Sequence, residues 1–401
     1  MKRIIASIGF MAIGATSIYA QQSAENVKPW SISGTLRGFY DDNYATQVSA
    51  NKHESWGVEV APSARVKYDV ENTKIAGSYA YGMKWYEKPN TEDQSHKFQI
   101  DFSHSFSKRY ALRAGDTFVV AQEPDILSTG IVSTPLRSEG SNIRNTGSFG
   151  FLTSVTENFG IDLSYDNNLY SYQDEYRARQ LDRDEHLAGV DLRWKVIEPT
   201  VAVLGYRFGE TDYSHKLMPG STTVQSSLRN SRSHYFLAGV DQNFTQELRG
   251  SVRVGAQSFD YFNQGATQTS PYADSKISYE YLKGSSIAVG VKHMHNATDI
   301  IGADPSDPVL DSEATVPYVA WTHKITPLLT STVVGQFQRA TFNGGSFDNQ
   351  NEDYYTISAN LGYEVNKFLT VETGYSFDDL ESSVGRAYTR NRVYLGLRAT
   401  Y

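Results

Sequence analysis

The chain reads as all-β: a transmembrane antiparallel meander β-barrel of about 18 strands, with about 16 as the alternative, short periplasmic turns and long extracellular loops. Three observations predict it. Apolar and polar residues alternate with a period of two over stretches longer than ordinary strands. The connections between those stretches are short and long by turns. The last nine residues, Val393 to Tyr401, alternate in the same way and stop on an aromatic.

Alternation separates strand from helix. From Trp56 to Val70 every even position is apolar (Trp56, Val58, Val60, Pro62, Ala64, Val66, Tyr68, Val70), with Gly57, Glu59, Arg65, Lys67 and Asp69 among the residues between. Successive strand residues point to opposite faces, so this stretch has one greasy and one polar side over about 45–50 Å. Phe98 to Phe106, Ala188 to Val196 and Tyr355 to Val365 repeat the pattern. A helix with its 3.6-residue period does not produce it. In water, such long half-apolar sheets would be an aggregation hazard. Closure within lipid removes both the bare edge and the exposed face.

In chain order, Lys2 and Arg3 precede an apolar run from Ile4 to Ile18, and Tyr19-Ala20 precedes Gln21. This is the layout of a secretory signal peptide. Residues 1–20 are therefore assigned to it and 21–401 to a single barrel domain. Short turns are expected at 71–72, 108–109, 158–159, 198–199, 245–246, 284–285, 326–327 and 366–367. Longer polar loops are expected at 42–53, 88–95, 122–146, 174–184, 212–231, 262–273, 298–313, 343–352 and 380–388. An even strand count puts both termini on the short-turn, periplasmic side. The first strand, from Trp30 to about Asp41, then begins too early to leave room for a plug domain. Aromatics sort into two girdles. Tyr68, Phe106, Trp194, Phe244, Phe368 and Tyr401 lie near the short turns; Phe39, Trp56, Trp85, Tyr261, Tyr355 and Phe377 lie near the long loops.

Composition narrows the functional classes. The 401 residues include no cysteine, so no disulfide staples this exported chain. The formal charge of −8 becomes −10 without Lys2 and Arg3, which argues against a nucleic-acid partner. No Gly-x-Ser-x-Gly or His-Glu-x-x-His pattern is present, and His104, His293 and His323 fall on lipid-facing positions. His293 and His295 share a strand face, but two ordinary histidines near the outer leaflet account for them better than a metal half-site. Asp299, Asp304, Asp307, Asp311 and Glu313 make an acidic stretch without EF-hand spacing. No enzyme, cofactor or metal is expected.

A barrel of this size leaves a wet interior. Alternation lines it with charges of both signs, among them Glu59, Arg65, Lys84, Arg113, Asp162, Asp191, Arg193, Asp241, Arg249, Arg253, Lys292, Glu372, Arg392 and Arg398. Leu395 and Leu397 face lipid, and the last strand pairs with the first near Ile32 to Leu36.

The early strand ending in Arg37-Gly38-Phe39-Tyr40-Asp41-Asp42-Asn43, the long second strand, the meander and the terminal aromatic resemble the Gram-negative outer-membrane proteins described as putative beta-barrel porins. The resemblance covers the whole mature length. It implies a channel for passive diffusion of small hydrophilic solutes, set in outer-membrane lipid and lipopolysaccharide. It also implies delivery by the barrel insertion machinery, with Tyr401, Leu397 and Leu395 as the assembly signal, and a homo-oligomer such as the trimers common among porins. In general porins the third loop folds into the pore. Here that loop, 122–146, carries Glu123, Asp125, Arg137, Glu139 and Arg144, stiffened by Pro124 and Pro135. Facing wall arginines Arg193, Arg249 and Arg253, it would form a constriction with a transverse field. The other reading of the loop is a cover over the outer mouth. Rival functions are a barrel for polysaccharide export or a receptor barrel, and, further off, a barrel hydrolase.

Overall fold

The computed structural model describes residues 28–123, 137–138, 140–213, 226–302 and 307–401. Within them lie 18 strands, β1 (Trp30–Asp41) to β18 (Tyr388–Thr400). Each pairs antiparallel with its neighbours in chain order, and β1 pairs with β18 to close the barrel. Strands run from 12 residues in β1 to 17 in β12 (Ala266–Leu282). Crossing the hydrocarbon takes only about 9–11 tilted residues. The surplus therefore extends past the bilayer as hydrogen-bonded sheet.

The even positions of β2 (Ser55–Val70) face outward, from Trp56, 63 % exposed, through Val58, Val60, Val66 and Tyr68. Leu36 of β1 and Leu395 and Leu397 of β18 stand on the same outer face. These side chains have no protein to bury them and need lipid. Outward-facing histidines have cross-strand partners instead. Tyr79 and His96, Tyr165 and His186, Tyr206 and His234, and Tyr281 and His323 share hydrogen bonds of 2.8–2.9 Å. His104 bonds Thr73, and His293 bonds Thr315. Each pairing satisfies a polar group that lipid cannot solvate.

All eight short turns fall at or within a few residues of the expected places, for example at 71–72 between β2 and β3 (Thr73–Tyr86) and, one residue later than expected, at 367–368 between β16 (Asn351–Asn366) and β17 (Leu369–Ser382). Three long connections are clearly shorter than expected. The loop 122–146 gives way to β6 (Asn142–Ser154), which puts Arg144 on a strand rather than in the loop. The expected loop 88–95 shrinks to 87–90, because β4 (Thr91–Ser105) continues the ladder up to Tyr86↔Thr91. The expected loop 262–273 shrinks to 262–265, where Gly265 adopts φ +66° and β11 (Leu248–Tyr261) pairs on to Tyr261↔Ala266. In the latter two extensions the outward face lacks the run of large apolar residues that marks a lipid-facing strand, so alternation fades there. The seven-residue helix α1 (Glu175–Leu181) sits in the loop between β7 (Phe159–Tyr172) and β8 (Arg183–Ile197), capped by Asp174 accepting from Arg177 N.

Two aromatics assigned to the outer girdle belong to the interior. Phe39 shares its face of β1 with Arg37 and Asp41, is 4 % exposed, and packs edge-on against Tyr86. Tyr261 is 2 % exposed within a cluster containing Tyr235, Phe259 and Leu310. Height along the strand suggested the girdle; strand parity puts both inside. At the other rim, Tyr401 lies against Trp30 and Phe368, 5.8 and 6.3 Å between ring centroids.

The outward face makes a direct prediction. Leu395→Arg should destabilise the folded barrel by about 2–4 kcal/mol, the cost of a midplane cation on a lipid face, measured by urea titration in liposomes. An unchanged midpoint would contradict the assignment of this face to lipid.

Candidate pore constriction

The loop after β5 (Tyr110–Ala121) turns into the lumen at its first residues. Glu123 reaches past four strands to the closing seam. Its carboxylate accepts from Arg390 Nη2 at 2.9 Å and lies 3.5 Å from Arg392 Nη2 and 3.6 Å from Lys84 Nζ. Arg390 and Arg392 are two apart on β18 and so share a face. Both also hold Asp41 at the end of β1: Arg390 through Nε and Nη2, the shorter bond 2.6 Å, and Arg392 through Nε at 3.2 Å. Asp41 and Arg390 are 0 % and 1 % exposed, so neither charge is solvated and each depends on the other.

The returning end of the loop is tied down as well. Arg137 Nη2 donates to Asp93 at 2.5 Å and its Nε to Gln122 at 3.0 Å, with the guanidinium 5.1 Å from the Tyr44 ring. Ser138 N and Oγ both bond the Gln122 carbonyl, which draws the loop ends together. Arg144, on β6 (Asn142–Ser154), donates to the Glu123 carbonyl at 2.8 Å. Glu123, Arg137 and Arg144 are thus gathered at one place. Asp125, Glu139, Pro124 and Pro135 lie outside the described residues.

Beside Glu123 a cavity of about 170 Å³ opens between Arg37, Glu59, Lys84, Tyr86, Arg392 and Tyr394. Arg37 spans Glu372 at 2.6 Å and Glu59 at 3.2 Å, and lies over the Tyr394 ring at 4.6 Å. Arg398 holds the other oxygen of Glu372 at 2.6 Å. Gly396, opposite Arg37 in the register, makes this possible. A Cβ there would meet Arg37 Cγ at 2.5 Å and the Leu36 carbonyl at 2.6 Å. Among the described residues of this cluster, Arg37, Lys84, Arg390, Arg392 and Arg398 face Asp41, Glu59, Glu123 and Glu372, one cation in excess.

The wall arginines expected to face the loop have other partners. Arg193 and Arg253 share Asp241, at 2.8 and 2.7 Å, and Arg249 bonds the Gln246 carbonyl near a short turn. Glu123 instead meets Lys84 and Arg392, both expected in the lumen, and Arg390, which is not among the expected lumen residues; Asp41 shares the two arginines with it. Parity with Arg37 on β1 and with Arg392 on β18 marks Asp41 and Arg390 as lumen positions. Among the described residues no group of three metal-ligating side chains is gathered to hold a metal, the His293–Glu313 neighbourhood included.

The family described as Putative beta-barrel porin 2 matches residues 28–401. The chain belongs to that family. It is an outer-membrane porin-like channel, a multi-pass β-barrel embedded in membrane lipid, and its family is one of channels rather than enzymes. No curated protein sequence matches it. Among solved structures, this porin is similar to the OccK2 (OpdF) protein of Pseudomonas aeruginosa, crystallised with glucuronate: 11 % identity, 92 % of this chain and 98 % of that one, TM-score 0.46. It is also similar to OccAB4 of Acinetobacter baumannii, at 9 % identity over 93 % and 99 % of the two chains, TM-score 0.46. The FrpB iron transporter of Neisseria meningitidis aligns at 8 % identity over 94 % and 82 %, TM-score 0.41.

The electrostatics of Glu123 predict a pH profile. Burial pushes its carboxyl up, but Arg390, Lys84 and Arg392 outweigh that and hold it well below its ordinary value of 4.5. A depressed pKa means an anchor present at neutral pH and lost only as pH falls through the folded value. Single-channel conductance of this porin should stay level between about pH 7 and 5 and change only below the usual carboxylate range of about 4. A titration centred near pH 6 would contradict the ion-paired state.

Proposed function

We propose that the channel admits small hydrophilic solutes by passive diffusion and that its narrowest point lies where the base of loop 122–141 crosses to the closing seam. The observation that carries this is the seating of Glu123 on Arg390, Arg392 and Lys84, a loop carboxylate held inside the pore at the closing seam, beyond the four intervening strands. Paired charges of both signs suit a hydrated path: they solvate polar solutes without trapping one sign. The single cation in excess adds a modest preference for anions. Asp125 and Glu139 belong to the same proposed constriction through their place in the loop. Arg193, Arg249 and Arg253 then serve as lining of the wider path.

Assembly is part of this reading. Residues 1–20 act as an export signal, and the closing strand with Leu395, Leu397 and Tyr401 addresses the chain to the barrel insertion machinery. Lipopolysaccharide surrounds the outer half, and the working unit is a homo-oligomer, a trimer by analogy with other porins.

Planar-bilayer recordings of the purified protein test the proposal. Stepwise ohmic openings are expected, with a reversal potential in a KCl gradient displaced weakly toward chloride. Glu123→Gln removes the anionic tether, so conductance and chloride preference should both rise. Silence over many insertions would sink the channel reading. Unchanged conductance and selectivity in Glu123→Gln would move the constriction elsewhere.

A further inference from the structure

At the extracellular mouth the described residues of the connection between β13 (Ser285–Asn296) and β14 (Asp311–Lys324), 297–302 and 307–310, make contacts toward two sides of the opening. At one side Asp299 Oδ1 accepts from Arg183 Nη1 of β8 at 3.0 Å, and the Ile300 carbonyl accepts from Arg229 Nη2 at 2.8 Å. Toward the other side, Ile300 and Val309, 5 % and 0 % exposed, pack with Phe342, Phe347 and Val384. Val384 belongs to the connection between β17 and β18, which faces β8 and β9 across an 18-strand ring.

The two arginines are not equivalent. Arg183 has carboxylate partners in Glu185 and Asp299 and stacks over Tyr170 at 4.0 Å. Arg229 is 1 % exposed, and among the described residues no carboxylate lies within ion-pairing distance of it. Its Nε and Nη1 make no hydrogen bond, and neither does the hydroxyl of the adjoining Tyr213, whose ring lies 5.5 Å from the guanidinium. A buried cation with two idle donors beside an idle phenol is costly unless something occupies the place part of the time.

We propose that Arg183, Arg229, Tyr170 and Tyr213 form a site for the carboxylate group of an incoming solute, and that Asp299 and Ile300 of the capping loop occupy it when no solute is bound. A guanidinium presents a planar fork of donors matched to a carboxylate, and the tyrosines add an aromatic wall and a hydroxyl donor. Asp299 is tethered, so it competes at an effective concentration on the order of millimolar, and a free carboxylate must reach about that level to displace it. Displacement breaks the Arg183–Asp299 and Arg229–Ile300 contacts together and loosens the loop from the mouth. The proposal rests on the channel reading and adds to it a site at the entrance with a carboxylate as its ligand.

The chain has no cysteine, so one introduced thiol reports on the loop. Val309→Cys in the full-length protein in liposomes should react slowly with a membrane-impermeant maleimide. Succinate at millimolar concentration on the loop side should speed labelling about tenfold, within the usual range of coupling between sites. Neutral succinamide, and chloride at matched ionic strength, should not. Asp299→Asn in the same background should label fast without succinate. Arg229→Gln should abolish the succinate response. Labelling indifferent to succinate, or equally quickened by succinamide or by chloride, overturns the proposal. Bilayer conductance of Val309→Cys checks the channel reading separately: a conducting pore whose labelling ignores succinate overturns this inference alone.

Discussion

The fold depends on one closure. β1 and β18 meet from Ser33↔Thr400 to Asp41↔Arg392, and until they do every strand belongs to an open sheet with two bare edges. Backbone pairing alone leaves register open to slippage by two residues, since alternation would be kept. Ion pairs across the seam remove that freedom. Asp41 takes Arg390 and Arg392, while Glu372 takes Arg37 from the first strand and Arg398 from the last. A slip by two residues would strand buried charges whose separation costs several kcal/mol each. The same charges that set the seam also line the pore beside it, so closure and permeation share one group of side chains.

The outer and inner faces obey opposite rules. Outside, Leu, Val and the two aromatic rims match the bilayer, and polar intruders such as His96 and His186 are each silenced by a tyrosine hydroxyl. Inside, many of the described charges have a counter-charge one strand away or across the lumen, as Asp241 has in Arg193 and Arg253. Such an interior stays wet and polar with little net field. Among the described residues pairing is incomplete by the seam, where five cations face four carboxylates, and at Arg229 near the mouth, the two places where selectivity is proposed to arise.

Much of this was legible in the residues. Fifteen consecutive alternating positions in β2 leave no other geometry, and the eight short turns locate themselves by their punctuation. Two of the shortened loops were not legible, because residues 91–95 are polar throughout and 266–273 carry only Tyr272 as a large apolar side chain, so neither shows a period of two. Periodicity records a contrast of environments, and these stretches carry none. Phe39 and Tyr261 show the complementary error, since an aromatic near a rim suggests a girdle until its parity is counted. The partners of Glu123 were beyond reach for a different reason. Parity says which side chains face the lumen; which of them meet across it depends on where a loop lands.

The reach of Glu123 also ties its position to the closing of the ring. Its principal partner, Arg390, lies 267 residues further along the chain. Arg390 is held in turn by Asp41 of the first strand, so the seat is complete only once β18 lies beside β1. In any partly closed sheet the carboxylate has no such seat. Its docking on Arg390 therefore doubles as a record that the last strand has been joined to the first.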